Sequence, residues 1–314
     1  MAFSRPLKFQ LPMLRGRDVL EVQLRLKALQ IHNIGQPDGL FGARTSAAVM
    51  EYQTGNGLTD DGIVGPLTWS SLFQDSSAGG TPTATLAAND GGNALVGAEL
   101  ISALTSKHAF KNGVSWRLGP QGLLVDSDNA PVGTGGEPKT VARIWSEFSS
   151  PLTHWSTELK VPVELIIATI CTESSGNPNA VREEPGFIDE IRTPHRISPG
   201  LMQTLISTAR AALNKDDIDK AWLLNPSNSI QAGTAYIAGQ WKQTRFDPPK
   251  VACAYNAGGI YHNDSPRNRW KMRQYPIGSS EHADRFVKWF NDCFVFFESN
   301  GGAPSCSFFT ALRK

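Results

Sequence analysis

One carboxyl is set apart by its surroundings. In the stretch LIIATICTESSGNP, from Leu165 to Pro178, Glu173 is the single acidic residue. Val163, Ile166, Ile167 and Ile170 recur at helical spacing, and Glu173 follows Ile170 by three residues and Ile166 by seven, on the same face. Gly176 and Pro178 stop the helix, which puts Glu173 in its last turn. Apolar neighbours and the negative end of the helix dipole both disfavour its ionised form. A glutamate held partly neutral near neutral pH can donate a proton, as cleavage of an ether-like bond requires. The alternative is an exposed helix-end glutamate, because a stripe fixes direction and not depth.

Two further patterns carry polar residues at helix ends. SPGLMQTLISTARAAL predicts a helix with Ser198 as cap and Pro199 at its first position, its apolar side formed by Leu201, Met202, Leu205, Ile206, Ala209 and Leu213. DPPKVACAYNAGG repeats the device with Asp247 and Pro248, and sets Tyr255 and Asn256 in a last turn closed by Gly258 and Gly259. Read singly, these are core helices in which Met202 and Tyr255 pack.

Taken in order, Glu173-Ser174, then GLMQ, then AYNAG resemble the soluble lytic transglycosylases, which share a fold with goose-type lysozyme. The resemblance spans residues 141–292. It implies a mainly α, lysozyme-like domain with a groove for alternating N-acetylglucosamine and N-acetylmuramic acid. By position, Glu173 becomes general acid and base, supported by Ser174. Met202 and Gln203 line the groove with Ser198, Tyr255 orients the glutamate or the sugar, and Asn256 braces the helix end. This chain reads RISPGLMQ where the family often has a Gly-Ala pair before SGLMQ, which leaves open which backbone donors reach the acetamido group. In goose-type lysozyme, acids between the first two motifs help position water. Here that interval holds Glu183, Glu184, Asp189 and Glu190. Glu184 is the candidate groove carboxylate, and a solvated charged loop is the alternative.

Near the N-terminus the sequence echoes itself. DGLFGARTSAAV begins at Asp38 and DGIVGPLTWSSL at Asp61, twenty-three positions on. Asp38, Gly39 and Gly42 in the first copy, and Asp61, Gly62 and Gly65 in the second, allow tight turns with positive backbone angles. Thr45 and Thr68 cap the helix that follows or support its first turn. The preceding DVLEVQLRLKALQ places Val19, Val22, Leu26 and Leu29 on one stripe. Over residues 15–73 the pattern resembles the peptidoglycan-binding domain of cell-wall enzymes.

The expected organisation is therefore mainly α: a three-helix binding domain over 1–73, a Gly/Ser/Thr/Ala-rich flexible linker over 74–93, a connecting segment over 94–140, and a transglycosylase domain over 141–314. Within the connecting segment, VSWRLGPQGLLV predicts a hairpin with a Gly-Pro-Gln-Gly turn. A formal charge of +1 without a long Lys/Arg run argues against nucleic-acid binding. No run is apolar enough for membrane insertion, and the N-terminus lacks a signal-peptide core. His32, His108, His154, His195, His262 and His282 show no metal-ligand spacing, so no metal and no cofactor is expected. Cys171 and Cys253 read as buried thiols, while Cys293 and Cys306 flank a loop and can pair in an oxidising compartment.

These readings point to a monomeric, endolysin-like enzyme, made in the cytoplasm and acting on peptidoglycan glycan strands in the cell wall after holin-type release or specialised secretion. A lone carboxylate suits a lyase, in which the muramic acid C6 hydroxyl closes a 1,6-anhydro ring. A hydrolytic muramidase and a non-catalytic wall-binding protein are the alternatives.

Overall fold

The structure, a computed structural model, describes residues 3, 5–9, 13–29, 31, 34, 36–56, 58, 60–73, 96–136 and 138–313. The expected linker over 74–93 and His32 lie outside the described residues. The chain divides into two units, residues 1–91 and 92–314.

In the first unit, α1 (Arg17–Ala28), α2 (Ala43–Gly55) and α3 (Pro66–Phe73) enclose a core that includes Val19, Val22, Leu26, Tyr52, Trp69 and Leu72. Leu29 does not join this stripe: it is the C-cap of α1 and is 40% exposed. Gln23 is buried instead. Its Nε2 reaches Asp38 Oδ1 at 2.9 Å, the Leu40 carbonyl at 3.0 Å and Thr45 Oγ1 at 3.0 Å, while its Oε1 accepts from the Asp38 and Gly39 amides. Gln53 on α2 repeats the arrangement with Asp61, Ile63, Thr68 and the Gly62 amide.

The sequence echo is thus a pair of turns, each braced by a buried glutamine amide. Thr45 and Thr68 sit in first helical turns, where they act as acceptors in this brace rather than as caps. Only the first glycine of each turn takes a positive angle, Gly39 at φ 73° and Gly62 at φ 69°. Gly42 is the extended N-cap of α2, and Gly65 immediately precedes α3.

The second unit opens with α4 (Ala98–Thr105) and an antiparallel sheet of β1 (His108–Ala109), β2 (Ser115–Gly119) and β3 (Gly122–Val125). Gly119 faces Gly122, so Pro120 and Gln121 form the predicted two-residue turn. The chain continues through α5 (Lys139–Leu159) and α6 (Val163–Ser174), then the short antiparallel pair β4 (Val181–Glu183) and β5 (Ile197–Pro199). After these come α7 (Ile206–Leu213), α8 (Lys220–Leu224), α9 (Pro226–Gly239), α10 (Trp241–Thr244), α11 (Pro248–Ala257), α12 (Glu281–Ser299) and α13 (Phe308–Ala311). Helix α5 kinks at Phe148, ahead of Pro151, which lacks an amide donor.

Helix α6 runs through the centre, packed against α12, α5, α11 and α9. Its apolar character is not confined to one stripe: every residue from Val163 to Thr172 is buried. Among these is Glu164, whose carboxylate accepts from the Ser307 hydroxyl and the Phe308 and Phe309 amides, fastening the C-terminal segment to α6.

Two expectations about local structure are corrected, those for Ser198 and Asp247. No helix begins at Ser198, because Ser198 and Pro199 belong to β5 and Gly200 turns the chain at φ 83°; α7 starts only at Ile206. Asp247 precedes α11 but makes no side-chain cap. Its buried carboxylate instead accepts from Trp116 Nε1 at 2.7 Å and meets His108 Nε2 at 2.9 Å, tying the sheet to the helices. Cys293 and Cys306 are both buried free thiols, each held in the core and not bonded to the other. Among the described residues, no helix is long and apolar enough to cross a membrane.

Candidate active site

Glu173 stands where α6 leaves the core. The helix ends in a left-handed residue, Ser175 at φ 52°, followed by Gly176 at φ 78°. Gly176 is needed there, since a Cβ would lie 2.6 Å from Ile144. The Arg143 guanidinium donates to the Ser175 and Gly176 carbonyls, satisfying acceptors that the helix end leaves open.

The Glu173 side chain is 19% exposed. Burial raises its pKa to about 7, against the opposing pull of Arg285 and Arg182. Glu173 therefore passes between its acid and base forms near neutral pH. It faces His282 on α12, whose Nε2 lies 3.6 Å from Glu173 Oε1. Burial, aided by Arg285, lowers the imidazole to about 4, so the ring is neutral where Glu173 titrates.

The neighbouring turn, Gly200 to Thr204, is joined to Glu173's helix by Ser174. The Ser174 hydroxyl donates to the Leu201 carbonyl at 2.6 Å and accepts from the Gly176 amide at 3.2 Å. Gln203, at φ 49°, closes the turn on itself by donating to the Gly200 and Ala180 carbonyls. Tyr255 on α11 donates to the Met202 carbonyl at 2.8 Å, and its oxygen lies 2.8 Å from the Thr204 hydroxyl. With one phenolic proton committed to Met202, Tyr255 accepts from Thr204. Burial holds the Tyr255 phenol well above its ordinary range; the Thr204 hydrogen bond pulls against this, and the charge on Glu173 adds to the rise.

The expected residues therefore divide. Glu173, Ser174, Gln203 and Tyr255 gather around one end of α6. Met202 lines no groove: its side chain is fully buried against Gly233 of α9, and only its backbone serves the site. Ser198 is buried in β5, opposite Arg182, with its hydroxyl 3.4 Å from Gln203 Oε1. Asn256 accepts from the Tyr275 amide at 2.6 Å, holding the loop before α12 rather than its own helix end. Glu184 is paired with Arg182 at 2.9 Å. Asp189 caps its own loop and pairs with Arg192, and Glu190 accepts from the Lys220 amide.

Sequence reading missed His282. The signal was present, since His282, Phe286 and Phe290 share one buried face of α12 and place a titratable ring on an apolar stripe. A surface hollow of about 580 Å³ beside the sheet, lined in part by Arg267, Arg269 and Lys288, does not include Glu173. Among the described residues, no group of three or more His, Cys, Asp and Glu side chains is placed to hold a metal ion.

Residues 150–275 match the family described as "Transglycosylase SLT domain", and residues 15–72 match "Putative peptidoglycan binding domain". An uncharacterized protein of Kitasatospora aureofaciens is 60% identical over 45 residues, covering 14% of this chain and 38% of that protein. The N-acetylmuramoyl-L-alanine amidase CwlM of Mycobacterium tuberculosis is 47% identical over 73 residues, covering 23% of this chain and 18% of that protein. The chain thus spans well under half the length of these curated relatives. Among solved structures, an inactive mutant of the lytic transglycosylase Slt from Pseudomonas aeruginosa aligns with TM-score 0.38 and 18% identity over 53% of this chain and 26% of that one. A Burkholderia AP3 phage endolysin aligns with TM-score 0.30 and 14% identity over 93% of this chain and 100% of that one.

Proposed function

We propose that this chain, which joins a peptidoglycan-binding domain to a transglycosylase SLT domain, cleaves the β-1,4 bond between N-acetylmuramic acid and N-acetylglucosamine, with Glu173 as the sole acid and base. The observation that carries the reading is the electrostatic setting of Glu173. Its carboxyl is mostly buried, is raised to about 7, and feels the charges of two arginines, Arg285 and Arg182.

Glycosidases that hydrolyse ordinarily divide the work between two carboxyls. A single carboxyl suffices when the substrate supplies the nucleophile. Glu173 protonates the glycosidic oxygen as the bond to the muramic acid C1 breaks. Its carboxylate then takes the proton of the C6 hydroxyl as that oxygen bonds to C1, which restores the acid. The acetamido group shields the cationic centre between the two steps. Closure within one sugar ring needs no second molecule to be brought in and oriented.

Gln203, Ser174 and Tyr255 serve this reaction by holding the turn that borders Glu173, and the N-terminal domain retains the enzyme on an insoluble polymer. Such an enzyme acts on the bacterial cell wall. Mass spectrometry of fragments released from purified sacculi tests the reading. Transglycosylation gives ends lighter than hydrolytic ones by one water and resistant to borohydride. Reducing ends, together with collapse of activity in Glu184→Gln, would make the enzyme a muramidase with Glu184 as its second acid.

A further inference from the structure

We propose that His282 is a positioning residue for Glu173: its Nε2–H holds Glu173 Oε1 and leaves Oε2 to deliver and recover the proton. The inference rests on the reading of Glu173 as acid and base. Its ground is the approach of α12 to the end of α6, where His282 Nε2 lies 3.6 Å from Glu173 Oε1 and the side chains are only 5% and 19% exposed. That separation is just beyond a hydrogen bond, and catalytic bonds of this kind tighten when substrate excludes water. His282 also shares its buried face with Phe286 and Phe290, so the ring meets the end of α6 among apolar neighbours. Glu173 Oε1 is a carboxyl oxygen that the fold brings toward Nε2.

The state of the imidazole decides what the contact does. A protonated ring would form an ion pair and hold Glu173 as a carboxylate, removing the acid. A neutral ring with a bare Nε2 would take the Glu173 proton into its own hydrogen bond and away from the sugar. A neutral ring carrying Nε2–H does neither. It fixes one carboxyl oxygen in both protonation states and favours the carboxylate modestly once the first proton has gone.

The groups facing the pair are consistent with the third state. Arg285 lies on the same helix, Arg182 on β4 and Tyr255 on α11, with Tyr236 of α9 edge-on to Tyr255. Both arginines are exposed, and burial lowers the ring to about 4. In the reaction the Glu173 proton passes to the leaving oxygen and the C6 hydroxyl proton returns to Glu173, so His282 neither gains nor loses one.

The test uses the full chain. Nitrogen NMR of wild type reads the His282 tautomer directly, and carbon NMR of the glutamate carboxyls, assigned by difference with Glu173→Gln, reads the Glu173 titration. We expect Nε2–H at neutral pH. In His282→Leu we expect kcat on soluble glycan strands to fall about tenfold or more with KM within about twofold, and the Glu173 titration and alkaline rate limb to rise by about one pH unit. His282→Gln, which keeps an Nε2–H donor, should restore most of the rate and the wild-type limb.

A bare Nε2 or an imidazolium at neutral pH overturns the proposal even if no variant folds. So does a leucine variant with wild-type rate and titration, or a glutamine variant as slow as leucine. Wild type that releases no anhydro ends defeats the transglycosylase reading instead, and the two titrations still decide the contact.

Discussion

The Ser174 hydroxyl donates to the Leu201 carbonyl at 2.6 Å, so the residue after the proposed acid ties the last turn of α6 to the Gly200–Thr204 turn. Tyr255 holds the same turn from the other side through the Met202 carbonyl. Two side chains from different helices thus fix one strained turn beside Glu173. Ser174→Ala should lower stability by about 1 kcal/mol, the net worth of one hydrogen bond. It should also cut kcat about tenfold, because the acid and its bordering turn lose their common anchor. Thermal melts and steady-state rates on soluble glycans check both. An unchanged kcat would show that the tie is structural alone.

Glu173→Gln should abolish lysis, and its effect on stability should depend on pH with a definite sign. The folded protein holds the Glu173 proton more tightly than the unfolded chain, with the pKa raised from 4.5 to about 7. Stability from this group is therefore full below the unfolded value and is lost as pH rises toward about 7. His282 runs the other way: its folded pKa is lowered from 6.5 to about 4, so stability is lost as pH falls through that window, but this contribution is common to both proteins. Glutamine, which cannot ionise, should match wild type at acid pH and exceed it above neutral pH by on the order of 1–3 kcal/mol. Paired denaturant titrations across pH measure the difference. A constant difference would mean that Glu173 is not held neutral by the fold.

How far the site was legible in the sequence follows from the same residues. Glu173 was visible because its apolar neighbours and the stop at Gly176 are local features. The turn after β5 was not: Leu201, Met202, Leu205 and Ile206 satisfy a helical period, and nothing local reveals that Gly200 must bend away. A Cβ there would come within 2.1 Å of the Leu223 carbonyl, a contact made only once α8 has packed. Ser198 was misplaced for the same reason, its partner being Arg182 on β4. His282 carried the right pattern, a titratable group on an apolar stripe, yet only the packing of α12 on α6 says what it faces. In the N-terminal unit the echo was plain, while its cause, the buried amides of Gln23 and Gln53, needed the fold.

Those two glutamines give a prediction of their own. Each buried amide satisfies backbone and side-chain groups of one turn, so truncation leaves several polar atoms without partners. Gln23→Ala and Gln53→Ala should each cost the N-terminal domain on the order of 2–4 kcal/mol. Binding to sacculi should fall as that domain melts, with cleavage of short glycans unchanged. Tight binding by both variants would show that the brace is dispensable.

Glu164 tests the C-terminal fastening apart from the chemistry. Its carboxylate serves Ser307, Phe308 and Phe309 together, at the opposite end of α6 from Glu173. Glu164→Ala should strand those donors in the core and cost on the order of 2–4 kcal/mol. The rate per folded molecule at low temperature should stay near wild type. A large loss of kcat without a change in melting temperature would mean that Glu164 communicates with the site.

Deletion of residues 1–93 separates binding from catalysis. A wall-binding domain helps by holding the enzyme near a polymer, which raises the local concentration of cleavable bonds around a tethered active site. A short soluble glycan offers one bond per encounter and gains nothing from a second attachment. The truncated chain should therefore digest whole sacculi at least about tenfold more slowly, while kcat/KM on soluble fragments stays within about twofold. Salt-washed pellets should retain the full chain and release the truncated one. Equal losses on both substrates, with a lowered melting temperature, would mean instead that residues 1–93 stabilise the catalytic unit. Equal rates on both would mean that the N-terminal domain contributes nothing to attack on the wall.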